Sequence, residues 1–466
     1  MRSYELVILG GGAAAFAAAI KADEYGVKTA MINHGLPLGG TCVNVGCVPS
    51  KYMLHVGEAY FYAGNAPRGI EASKPRLNFR EVVRRKRELV AGLRKRKYVD
   101  VASALPNVTL IEGRGAFVSQ RAVEVNGEKI RGDKFIVATG ASPNIVPIPG
   151  IKEVDYLTNE EALELEEPPG SMVIIGGRAL ALEFAQLFAH FGTRVTVLQR
   201  SPRIIPDEEP EISAALRSYL EEEGIEIRTG VAVKEVRKRG EGVMVRAELD
   251  DETMSFEAEK LLMATGRKPN TSSLGLEKAG VELGRGGAIM VDEEMRTSAE
   301  NIWAAGDVVG KPMLETTAAK EGAIAAMNAL RGIGRKMDYG AVPHAVFTSP
   351  QVASVGLTED EAERRGYSCA CRVVAMEDVP KAVIVGDTRG LVKLVADAKT
   401  GQILGVHILT PLAADMIHEA VLAVRCGLTI DDIIDTVHVF PTLTEAIKLA
   451  AQSFRRDIKK MSCCVE

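Results

Sequence analysis

The sequence predicts an α/β fold, with two Rossmann-like dinucleotide-binding domains followed by an α+β C-terminal domain. Three observations predict it. The chain opens on a strand, a glycine turn and a small-residue helix. The same pattern restarts near residue 171. From about Tyr339 it gives way to alternating strands and amphipathic helices.

Residues 5–9 (ELVIL) form a short apolar run of the kind found in parallel sheets covered on both faces. It breaks at Gly10-Gly11-Gly12; residues 13–25 then read as a helix and 27–32 as the second strand. Residues 79–104 read as a long polar helix, and the basic run 84–97 as its solvated cationic face. Residues 135–138 (FIVA) are a buried strand closing on Thr139-Gly140. The second unit repeats the first: strand 172–175, turn Gly176-Gly177, helix 179–191 and strand 194–198. The echo extends to LLMATG at 261–266 against FIVATG at 135–140. Residues 301–307 (NIWAAGD) return to the first sheet, so the first domain is discontinuous. The expected domains are 1–155 with 272–338, then 156–271, then 339–466.

A length of 466 residues suits several domains, and a net charge of -5 gives no field favouring nucleic acid or an anionic membrane. No apolar stretch reaches the roughly 18 residues a membrane span needs. The first strand begins too early for a signal peptide, which predicts a cytoplasmic protein. Seven cysteines in so long a chain do not make a secreted disulfide framework; the pairs at 42/47 and 463/464 suggest redox work or soft-metal binding.

The turn Gly10-x-Gly12-x-x-Ala15 lets the backbone approach a pyrophosphate at a helix N-terminus. Asn33 stands where an acidic residue usually meets a ribose hydroxyl, and an amide serves the same hydrogen bond. In the second turn Gly176 is kept, with Arg178 and Ala181 at the other glycine positions. Gln199, Arg200 and Arg203 follow the next strand; arginines there suit a 2′-phosphate and predict NADPH over NADH.

The most specific stretch is GGTCVNVGCVPSK at 39–51. On an ideal helix Cys42 and Cys47 would point to different faces, so the glycines and a helix start must adjust the geometry. A helix N-terminus and the Lys51 cation would favour a thiolate there.

On this stretch, together with ATGASP at 138–143, ATGRKPN at 264–270, AAGD at 304–307 and FTSPQVASVGLTE at 347–359, the chain resembles the pyridine nucleotide-disulfide oxidoreductase family along essentially its full length. The resemblance implies a glutathione reductase-like fold: FAD on the first domain, NAD(P)H on the second, and a C-terminal domain that builds a homodimer with an active site shared between subunits. The cofactor-binding residues it implies are Gly10, Gly12, Ala14, Ala15, Asn33, Gly35, Gly40, Thr41, Lys51, Ala116, Thr139, Gly140, Gly176, Arg178, Glu183, Arg200, Arg203, Gly266, Arg267, Gly306, Asp307, Glu315 and Ala318. Asp307 would hydrogen-bond the ribitol side of the flavin, and Lys51, paired with Glu183, would sit by its reactive end. Cys47 would face the flavin and Cys42 would be the interchange thiol.

Disulfide reductases of the family carry a His-Pro pair whose histidine is the acid–base partner of the interchange thiol. Here the segment is HVFPTLTE at 438–445, with Phe440 before Pro441; Glu445, which would orient that histidine, remains. The tail ends in Cys463-Cys464. Adjacent cysteines make a strained disulfide but suit a soft cation such as Hg(II). A terminal Cys-Cys pair together with the 39–51 site marks the branch of the family that reduces Hg(II) to Hg(0). Tyr98 matches that branch's inner-site tyrosine, while its second tyrosine position falls on Phe440. The implied catalytic residues are Cys42, Cys47, Tyr98, Cys463 and Cys464, with the four cysteines as metal ligands. Thiol-complexed Hg(II) would arrive at Cys463 and Cys464 of the partner subunit and pass inward to Cys42 and Cys47. No Cys-x-x-Cys metal-binding module precedes the first strand, so the catalytic core alone is expected. The alternative is a dihydrolipoamide dehydrogenase-like or other disulfide reductase. Cys369 and Cys371 read as structural, and Cys426 has no assigned role.

Overall fold

The computed structural model describes residues 2–64, 69, 73, 75–250, 252–310 and 312–462. The first sheet is built from β1 (Arg2–Leu9), β2 (Thr29–Asn33), β3 (Val108–Glu112), β4 (Gly115–Ser119), β5 (Ala122–Val125) and β6 (Glu128–Val137), in the order β3-β2-β1-β6-β5-β4. A strand at Ile302–Ala304 pairs parallel with β6, so the chain does return to this sheet late. The helix α1 (Ala13–Glu24) carries Ala14, Ala15, Ala18, Ala19 and Ala22 as buried residues. Such small side chains let the helix Glu315–Arg331 lie close against it.

The second sheet is wholly parallel, with Ser171–Ile175 flanked by Arg194–Gln199 and Lys260–Met263. These two neighbours stand to it as β2 and β6 stand to β1, which is the repeat read from FIVATG and LLMATG. The third sheet has five antiparallel strands, from His344–Val346 to Ile403–Thr410, under the helices Ala413–Cys426 and Glu445–Gln452. The ranges 1–155 with 272–338, 156–271 and 339–466 stand as proposed domain limits.

Three details depart from the sequence reading. β6 begins seven residues before Phe135, because its polar first half pairs antiparallel with β5 in a hairpin. The helix 79–104 is not uniform: Phe79–Arg94 is α-helical, Lys95–Val99 is a π-helical turn, and Asp100–Ser103 resumes the α-helix. Its cationic run is not wholly solvated either, since Lys86 is 1% exposed and its Nζ meets the Glu164 carboxylate and the Leu163 carbonyl. A three-stranded antiparallel sheet over Ala232–Ala258 was not expected; its alternation is masked by charged residues on the open face.

Candidate redox and nucleotide site

The two cysteines meet because the helix between them breaks. Cys42 lies in the short helix Gly40–Val45 and Cys47 opens the 18-residue helix Cys47–Gly64. Gly46, at φ -124° and ψ -115°, is the break. A Cβ there would sit 2.9 Å from the Thr41 carbonyl oxygen, so glycine permits the close turn. The Cys42 thiol hydrogen-bonds Cys47, and this bond, with the Lys51 cation, holds the Cys47 pKa below its ordinary value. The same bond, burial and the neighbouring Glu315 carboxylate push Cys42 well up. Of the two thiols, Cys47 is therefore the one that ionises first.

Lys51 Nζ lies 2.7 Å from Glu183 Oε2 and over the Phe347 ring at 4.5 Å. The other Glu183 oxygen accepts the Phe347 N–H at 3.0 Å. One buried carboxylate thus links the cysteine helix, the second nucleotide-binding unit and the strand region of the third sheet. Tyr98, presented by the π-helical turn, packs edge-on against Phe16 at 5.0 Å and donates to Glu315 Oε1 at 3.3 Å. The Glu315 carboxylate also acts on the Cys42 thiol through its charge. The sequence reading grouped Glu315 with the cofactor; the structure brings it to the thiol pair.

A cleft of about 600 Å³ runs over the first glycine turn, lined among others by Gly10, Gly12, Asn33, Thr41, Thr139 and Arg267. Gly35, Gly40 and Gly140 also border it. Gly10 is at φ +138°, where a side chain would also run into the Ala138 carbonyl, so only glycine keeps the cleft floor open. Ala14 and Ala15 are buried behind the turn, Ala116 lies on β4 next to the cleft-lining Gly115, and the Ala318 and Ala14 methyls back Gly306.

The description "Pyridine nucleotide-disulphide oxidoreductase" belongs to the family model that matches residues 4–322, and its dimerisation-domain model matches residues 342–451. The chain belongs to this family. It is 43% identical to the mercuric reductase of Staphylococcus aureus, over 99% of this chain and 84% of that protein. It is also 43% identical to that of Streptomyces lividans, over 99% and 98% respectively. The HOCl-induced flavoprotein disulfide reductase RclA of Escherichia coli, solved as a Cu(II) complex, superposes with a TM-score of 0.88 at 29% identity, covering 98% of this chain and all of that one.

The residues present fit the flavin that the oxidoreductase family implies. Buried Arg267 Nε has no hydrogen-bond partner among the described residues and lies 3.7 Å from Asp307 Oδ2, while Nη2 is held by Thr41 Oγ1 and the Ala141 carbonyl. A polar edge with an unused donor beside a glycine-floored cleft is what an anionic dinucleotide needs. The second glycine turn repeats the geometry, with Gly176 at φ +126° and Gly266 at φ +99°. Around it the arginines divide. Arg200 is exposed, and Arg178 forms an ion pair with Asp207. Arg203, read from sequence as a phosphate ligand, also braces its own loop, with Nη2 donating to the carbonyls of Pro206 and Glu208.

At the C-terminal position where a disulfide reductase is expected to carry histidine, Phe440 is 45% exposed beside Val437 and Val439, which are 88% and 77% exposed. His438 is not free to substitute: Nε2 meets Glu419 Oε1 at 2.8 Å and Nδ1 meets the Thr436 carbonyl at 2.9 Å. Glu445 keeps a buried Oε2 without a hydrogen-bond partner among the described residues. Cys369 and Cys371 pack beneath Leu404 and Ala362, and Cys426 ends a helix. Cys463 and Cys464 lie outside the described residues. Among the described residues no helix is long and apolar enough to cross a membrane.

Proposed function

We propose that this oxidoreductase is an NADPH- and FAD-dependent mercury(II) reductase, working in the cytoplasm as a homodimer. The single observation that carries the reading is that a Cys42–Cys47 pair with the more acidic thiol at Cys47 occurs in a chain that has Phe440 in the place of the histidine that disulfide turnover requires. Full-length similarity to proteins named mercuric reductases supports it.

FAD bound over the first glycine turn and NADPH over the second would supply the electron pair. Gly10, Gly12, Thr41, Arg267 and Asp307 would hold the first, and Gly176, Gly266 and Arg200 the second. Lys51 and Glu183 fix the cysteine helix against the second unit, so that Cys47 and the nucleotide sites keep one geometry. Hg(II) enters as a complex with two carrier thiolates. Cys463 and Cys464 of the partner subunit displace the carriers, and Cys47 and Cys42 then displace the tail sulfurs. Each exchange forms one Hg–S bond and breaks one, and the leaving thiolate takes up the proton of the entering thiol. Two electrons then convert Hg(II) to Hg(0), and both cysteine sulfurs leave as thiolates. No histidine is needed at the interchange thiol, because no substrate sulfur has to be protonated there.

The deciding assay is NADPH oxidation with Hg(II) in excess thiol, compared with oxidised lipoamide and oxidised glutathione. Turnover stimulated by Hg(II) and weak with both disulfides is expected. Turnover with a disulfide but none with Hg(II) would assign the chain to the disulfide reductases instead.

A further inference from the structure

The loop after the strand Arg194–Gln199, residues 200–209, carries the arginines expected to meet the 2′-phosphate. It is not a free surface loop. Ile205 is 4% exposed and sits at φ +33°, a strained position for a β-branched residue that persists only when neighbours hold it. Its N–H donates to the Gly177 carbonyl at 2.8 Å, which ties the loop to the second glycine turn. Arg203 braces the loop from inside through the Pro206 and Glu208 carbonyls.

Glu208, at the end of the loop, reaches out of the second unit altogether. Its carboxylate is 4% exposed and lies against the third sheet. One oxygen is hydrogen-bonded to His344 Nε2 on the strand His344–Val346. The other accepts from Ser354 Oγ at 2.5 Å and lies 3.9 Å from His407 Nδ1. Glu209 continues the attachment: Lys393 Nζ is 2.9 Å from its Oε2, and the Glu359 N–H is 2.7 Å from its Oε1. Lys393 is itself 2% exposed and also meets Glu211 and Glu359. The coenzyme loop is therefore bolted at one end to its own glycine turn and at the other to the interface sheet.

We propose that Glu208 is a positioning residue for the nicotinamide coenzyme, which through its pairing with His344 holds the 200–209 loop, and with it Arg200, in the shape that binds the 2′-phosphate. This rests on the reading of that loop as the NADPH-selective element. Without the clamp the strain at Ile205 is free to relax, the Glu208 backbone carbonyl that Arg203 grips is no longer held against the third sheet, and the coenzyme must order the loop as it binds. That cost falls on coenzyme binding and not on the chemistry at Cys42 and Cys47, since the pair Lys51–Glu183 that orients the cysteine helix shares no hydrogen bond with the clamp.

The test uses the FAD-loaded full chain. Glu208→Gln removes the charge, and His344→Gln does so from the half-exposed side of the pair, where folding is least at risk. In both, KM for NADPH should rise, by about tenfold for the loss of one partly buried charged hydrogen bond. kcat at saturating NADPH and KM for Hg(II) should stay within about twofold. His344→Lys, which keeps a cation facing Glu208, should restore most of the NADPH affinity, a recovery that a packing role for His344 would not give. An unchanged NADPH KM in both Gln variants, with Arg200→Glu raising it, overturns the clamp while leaving the loop as the coenzyme element. If Arg200→Glu also leaves the ratio of NADPH to NADH activity unchanged, the reading of the loop itself has failed and the proposal falls with it.

Discussion

The Tyr98 hydroxyl donates to Glu315 at 3.3 Å, and the charge of the same carboxylate acts on the Cys42 thiol. Burial raises the Glu315 pKa, and its charge in turn helps raise those of Cys42 and Tyr98. The carboxylate thereby disfavours ionisation at Cys42 and leaves Cys47 the more acidic of the pair.

Glu315→Gln should therefore let Cys42 ionise at lower pH, because a like charge beside its sulfur has been removed. Titrating thiolate ultraviolet absorbance in the dithiol form of the FAD-loaded protein follows it directly. The second thiolate should appear earlier in pH than in the parent; an unmoved or later second step would mean that Glu315 does not control Cys42.

Phe440→His tests what the missing histidine costs. Glu445 already holds a buried oxygen with no hydrogen-bond partner among the described residues, and burial raises its pKa. An imidazole at 440 would find a carboxylate ready to orient it. NADPH-dependent reduction of oxidised lipoamide or glutathione should rise at least about tenfold, below the full range of about 10² to 10⁴ for a well-placed acid–base group. No gain with either disulfide would show that substrate access, and not the missing base, blocks these substrates.

Much of this was legible from residue order, because the decisive features are local. Gly10, Gly176 and the FIVATG and LLMATG strand ends announce two nucleotide-binding sheets, since a strand, a positive-φ glycine and a helix start lie within a dozen residues. Cys42, Cys47 and Lys51 likewise sit within ten residues. What remained hidden depends on distant partners. Glu208 is an ordinary surface acid in sequence; only the packing of the third sheet puts His344, Ser354 and His407 around it. Nothing in the order of residues shows that Arg203 also grips two carbonyls of its own loop. Lys86 belongs to a basic run, yet the backbone at Leu163 and the Glu164 carboxylate bury it.

Glu321 makes a pH prediction. It is fully buried, accepts from the Gly306 N–H and the Tyr339 hydroxyl at 2.7 Å each, and burial raises its pKa to about 7. An acid raised from 4.5 keeps its proton in the folded chain while the unfolded chain loses it. Stability should therefore fall as pH rises from about 4.5 to about 7, by on the order of 3 kcal/mol at most. Glu321→Gln, which keeps one acceptor and adds a donor, should flatten that window in denaturant unfolding followed at several pH values. An equally steep fall in the variant would place its origin elsewhere.

The tail sets the last expectation. Hg(II) in a cell is held by excess thiol, so a lone cysteine competes poorly for it, whereas two adjacent thiolates gain from being linked: once one sulfur binds, the second acts at a high effective concentration. Replacing both Cys463 and Cys464 by alanine should thus cut Hg(II) reduction steeply in excess thiol, and the deficit should grow as carrier thiol is added. Reduction of the bound flavin by NADPH, followed at the flavin absorbance without Hg(II), should proceed at the parental rate, because it uses the two glycine turns, Lys51 and Glu183 and none of the tail. A parallel loss of both rates would make the tail a folding element instead of a delivery arm.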